Sequence, residues 1–152
     1  MNSKHVSLAI GRRQIALALF SGQELECWQL RNLPNNVEQA KVTVAAFVRR
    51  AISHFDFGSA AIQSGSLGTA RKDQLLQVIC EVLREQGIPI LTASENELFA
   101  AFRHPIIVKR GDLRKIVRSV FPQLGGEQDC QPLLDAAALG LYLETERVLT
   151  NH

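Results

Sequence analysis

Three short strand-like runs stand ahead of the first helical pattern: the apolar Val6–Ile10 and Ile15–Phe20 and the alternating Leu25–Leu30. Each has strand length, and only short connections separate them, at Gly11-Arg12-Arg13 and at Ser21-Gly22. Spacers this short leave no room for a crossover, so the runs must pair as an antiparallel meander. In the third run Leu25 and Cys27 are expected on one face, with Trp28 and Leu30 on the other.

The period then changes. Leu33-Pro34-Asn35-Asn36 ends in a helix cap, and Val37, Ala40, Val44, Phe47, Val48, Ala51 and Phe55 recur at helical spacing. The pattern predicts an amphipathic helix of about five turns. A fourth strand is expected over Gly58–Ile62, a loop over Ser64–Ala70, and a second helix carrying Leu75, Val78, Ile79, Val82 and Leu83. Gly87 stops that helix just before Pro89. A fifth strand follows at Ile88–Leu91, and Ser94 is placed to cap a short helix through Phe102, with Glu97 at the reciprocal capping-box position.

Beyond the break at Pro105, a basic helix is expected over Gly111–Phe121 and a loop over Gly125–Asp129. Pro132 occupies the first position of a final helix, whose segment Leu133–Leu143 is almost wholly apolar. Hairpins followed by strand–helix alternation imply an α/β fold, a mixed five-stranded sheet with helices on both faces. The length, 152 residues, suits one domain spanning residues 1–152.

Several function classes recede on composition. The cysteines, Cys27, Cys80 and Cys130, are odd in number and match neither a disulfide framework nor a zinc pattern. The histidines are scattered, and no pair has ligand spacing. No stretch is apolar enough to span a bilayer, and Arg12 and Arg13 interrupt any signal-like core. The expectation is a cytoplasmic protein with no membrane partner. Net charge is only +2, but it is unevenly spread. Arg103, Lys109, Arg110, Arg114, Lys115 and Arg118 face a single acid, Asp112, whereas the stretch from Ser119 onward is acidic. Arg110, Arg114 and Arg118 repeat every fourth residue and line one side of a helix, with Lys115 beside them. Such a stripe suits phosphate backbones, and equally a plain solvated face.

Two segments resemble a known superfamily. The run Leu8–Leu19 is similar, without a gap, to the opening of YqgF-type proteins. RuvC-type Holliday junction resolvases open in a related way. The run Leu133–Leu143 resembles the closing helix of both, where an Asp precedes small residues, and Ala60-Ala61-Ile62-Gln63 resembles the end of the fourth RuvC-type strand. The resemblance implies a ribonuclease-H-like fold. It also implies phosphodiester cleavage with two magnesium ions held by converging carboxylates. This chain departs from that pattern. The first-strand Asp is Ala9, the fourth-strand Glu is Gln63, and the acid three residues before the final one is Pro132. Asp135 alone matches, and Glu95 and Glu97 lie near a further acidic triplet but out of register.

The reading is therefore a catalytically degenerate, resolvase-like protein that needs no cofactor. Its expected partner is branched DNA or structured RNA, bound through Arg110, Arg114, Lys115 and Arg118, or a protein. One alternative is an active magnesium-dependent endonuclease with relocated ligands drawn from Asp135, Glu95, Glu97 and Gln63. Another is a scaffold with no nucleic-acid role.

Overall fold

The computed structural model describes residues 4–22, 24–64, 70–94, 132 and 136–140. Its elements run β1 (Lys4–Ile10), β2 (Gln14–Ser21), β3 (Glu24–Asn32), α1 (Val37–His54), β4 (Ser59–Ser64), α2 (Ala70–Glu85) and β5 (Ile90–Ser94). They form one five-stranded sheet in the order β3-β2-β1-β4-β5. The β1–β2 and β2–β3 pairs are antiparallel, as the short turns require. The β1–β4 and β4–β5 pairs are parallel, each reached through a helical crossover.

The central strands are apolar on both sides because both sides are covered. Val6, Leu8 and Ile10 of β1 and Ile15, Leu17 and Leu19 of β2 pack with Ala40, Val44, Val48 and Ala51 of α1 and with Leu75, Ile79, Val82 and Leu83 of α2. The alternate residues Ala9, Ala16, Ala18 and Phe20 pack with Ala136, Ala137 and Ala138, the described part of the final helix. On this second face most residues are small, so the final helix can approach closely. At Gly140 an added Cβ would fall against the Phe20 ring, so only glycine fits there.

Local chemistry fixes the ends of the elements. The Asn36 side chain accepts hydrogen bonds from the amides of Glu38 and Gln39, at 2.9 and 3.1 Å, and so caps α1. Arg71 of α2 donates to the carbonyls of Pro34 and Asn35 and ties down the loop before α1. After α2 the chain turns at Gly87, with φ of +70°, and the Ile88 amide reaches back to the Leu83 carbonyl at 3.0 Å.

Three boundaries or faces differ from expectation. The β2–β3 ladder is shifted between Leu19 and Phe20: Leu19 pairs with Cys27 and Phe20 with Leu25. Glu26 is the extra residue of this bulge, so Leu25 joins Trp28 and Leu30 on the second face while Cys27 packs against the first. β4 continues to Ser64, which was expected to open a loop, because β5 supplies pairing through Ser64↔Ser94. β5 correspondingly begins at Ile90 rather than Ile88, since the Ile88 amide is committed to ending α2, and it includes Ser94. The helices expected after Ser94 and over Gly111–Phe121, and the loop Gly125–Asp129, lie outside the described residues. No described helix is long and apolar enough to cross a membrane.

Candidate nucleic-acid interface and the substituted acidic positions

The positions singled out by the resemblance fall on β1, β4 and the final helix. Ala9 is the next-to-last residue of β1, opposite Ala16 of β2. It is only 6% exposed and sits in the apolar layer formed by Ala16, Ala18, Phe20 and the alanines of the final helix. Gln63 is in β4, paired with Ala93 of β5. The β1–β4 ladder runs through Leu8↔Ile62, so the next step of that parallel register brings positions 9 and 63 level on adjacent strands. Pro132 is helical and buried, and its ring lies against Gly11 so closely that a Cβ at Gly11 would collide with it.

The structure thus brings Ala9, Gly11 and Pro132 to one end of the sheet, with position 63 beside them. Asp135, Glu95, Glu97, Arg110, Arg114, Lys115 and Arg118 lie outside the described residues. The segment that follows Asp135 packs on the face that carries Ala9.

The sequence reading passed over Ser7, which is fully buried two residues before Ala9 on the same face. Its hydroxyl donates to the carbonyl of Ala136 and joins β1 to the final helix by a polar contact inside an apolar layer. The available signal was a lone hydroxyl in an apolar strand, which must find a partner when buried. His5, two residues earlier, is also buried and stacks on Phe20, with ring centroids 5.1 Å apart and an interplanar angle of 7°.

Magnesium requires hard oxygen donors, and a two-metal centre needs several of them. Ala9 and Pro132 provide none, and the described residues clustered with Ala9 are alanines, Phe20 and Leu25, with Trp28 and Leu30 packed against them. Among the described residues no group of three His, Cys, Asp or Glu side chains could hold a metal ion. The described part of this site does not fit a two-magnesium centre. The two described thiols stand apart from it. Burial pushes Cys27 up from its ordinary value, Glu26 adds to this and Lys4 opposes it. Burial also raises Cys80, against the pull of Arg84.

No family model and no curated protein sequence matches the chain. Solved structures do. RuvC of Thermus thermophilus matches with a TM-score of 0.74 at 16% identity, over 95% of this chain and 97% of that one. T. thermophilus RuvC in complex with Holliday junction substrate matches with a TM-score of 0.76 at 14% identity, over 97% of this chain and 96% of that one. The yeast mitochondrial Holliday junction resolvase gives 0.65 at 10% identity, over 99% of this chain and 82% of that one. The chain has the ribonuclease-H-like fold of the RuvC-type resolvases.

Proposed function

We propose that this protein binds branched DNA as a resolvase-fold module and does not cut it by the two-metal route. The observation that carries the second half is the layer around Ala9. Where the resemblance implies a first-strand carboxylate, a methyl group is packed beneath the alanines of the final helix. The contact of Pro132 with Gly11 closes the neighbouring space with carbon. A charged ligand set needs a polar pocket, and burying a carboxylate here without donors is costly.

The binding half rests on fold and charge. A protein of this fold has been solved on a Holliday junction substrate. In this chain six cations between Arg103 and Arg118 face one acid. Arg110, Arg114, Lys115 and Arg118 are the residues assigned to phosphate contacts.

The test is affinity for a four-way DNA junction across a salt series. Four phosphate contacts give a log–log slope of about −3.6, and replacing Arg114 and Arg118 with Ala removes about 1.8 of it. Absence of binding at low salt, or a slope unaltered by both replacements, would remove this reading.

A further inference from the structure

A groove of about 590 Å³ opens between α1 and the edge strand β3. It lies on the first face of the sheet, opposite the layer that holds Ala9. Its origin is geometric. α1 packs on the same face as β1 and β2, and β3 is the edge strand beside β2. The bulge at Glu26 turns Cys27 toward α1, and alternation carries Gln29 and Arg31 to the same side. The facing wall is α1 from Thr43 to His54, about 16 Å of helix.

The lining is amphipathic in a particular way. Phe47 supplies a half-buried aromatic surface, Gln29 and Thr43 supply polar groups, and Arg31, Arg50 and His54 are exposed around it. Nearby cations are paired: Lys4 with Glu26, Lys41 with Glu38, and Arg49 with Glu85. Arg31 and Arg50 have no acidic partner among the described residues. The groove therefore sets two guanidinium groups without acidic partners among the described residues beside an aromatic surface. Cations that track a backbone, next to a ring on which a base can stack, are what a single nucleic-acid strand requires.

We infer that this groove binds a short single strand of nucleic acid, with phosphates on Arg31 and Arg50 and a base against Phe47. The inference takes its class of ligand from the proposed function and rests on that reading. It adds a second contact surface, on the face opposite Ala9, for an unpaired segment of a branched molecule.

The experiment uses the full chain and fluorescence anisotropy with two probes, a short labelled oligonucleotide and a four-way DNA junction. Two variants test the groove. Arg31→Ala with Arg50→Ala removes the cations. Phe47→Ala removes the stacking surface without changing charge, at a half-buried helical position. Circular dichroism establishes that both variants fold. Both are expected to weaken the oligonucleotide at least about tenfold, and the arginine variant to lower its salt slope by about 1.4. Junction affinity should change less than about threefold, because the junction is assigned to other cations, Arg110, Arg114, Lys115 and Arg118. Oligonucleotide binding unchanged in both variants, with the junction still bound, overturns the groove alone. Failure of the parent to bind either probe overturns the proposed function and the groove with it. Displacement of the oligonucleotide by polyglutamate at equal charge would show that the groove takes acidic peptide instead, and would also overturn the inference.

Discussion

The Ser7 hydroxyl donates to the carbonyl of Ala136, across the layer where the final helix meets the sheet. Both residues are fully buried, and the bond crosses from near the start of the described chain to its last described helix. The Ala136 carbonyl belongs to a helix, so removing the donor does not strip it of every partner. Ser7→Ala should therefore cost about 1 kcal/mol. For a chain of this length that is a fall of roughly 2–4 °C in Tm. An unchanged Tm would show that the contact does not hold the helix to β1.

Ala9 offers a sharper test of the local environment. Ala9→Asp places a carboxylate in an apolar layer with no cation among the described residues of that layer, which should destabilise the protein by roughly 3–5 kcal/mol at neutral pH. Burial disfavours the charged form and raises the carboxyl pKa in the folded state above its unfolded value. The protonated form is the tolerated one. The variant should thus be most stable below the unfolded pKa and lose stability as pH rises through the folded one. Thermal melts over a pH series measure this. A variant as stable as its parent at neutral pH, with a Tm that rises on adding magnesium, would show that the pocket accepts a metal ligand.

The two described cysteines give a chemical readout. Burial is the first cause of the raised pKa at both Cys27 and Cys80. The thiolate is the nucleophile, so both should react with iodoacetamide more slowly than a small free thiol at pH 8. The same shift means that stability contributed by the neutral thiols is present below their ordinary value of 9.0 and declines as pH rises through the raised ones. Peptide mapping of the alkylated protein resolves each site. Alkylation of Cys27 or Cys80 as fast as the free thiol would contradict the packing described for it.

Much of this sheet was legible because its signals are local. The three runs before α1, the cap at Asn36 and the stop at Gly87 each depend on neighbours a few residues away, and each appears where periodicity and turn chemistry put it. The face assignments in β3 were not legible. Leu25 and Cys27 alternate as if on one face, and only the partner strand reveals that Glu26 is an extra residue. The ends of β4 and β5 were missed for a related reason: Ser64 and Ser94 have turn-like chemistry, and it is their mutual pairing that holds them in strands. The groove had no sequence signal, because Arg31 and Arg50 come together only where the edge strand β3 faces α1. At the substituted acidic positions the sequence showed the loss of donors at Ala9 and Pro132. It did not show that Pro132 packs on Gly11, a contact between distant parts of the chain.

Binding and the absence of two-metal cleavage can both be read from one gel. A labelled four-way junction is incubated with the protein in magnesium, and again in manganese, at low salt. Half of each sample is run native and half denatured, with Asp135→Asn in parallel lanes. The predicted result is a retarded complex whose strands are all full length, for the parent and the variant alike. Strand cleavage by the parent that disappears in Asp135→Asn would contradict the account. It would mean that carboxylates other than those lost at positions 9, 63 and 132 complete a working metal site.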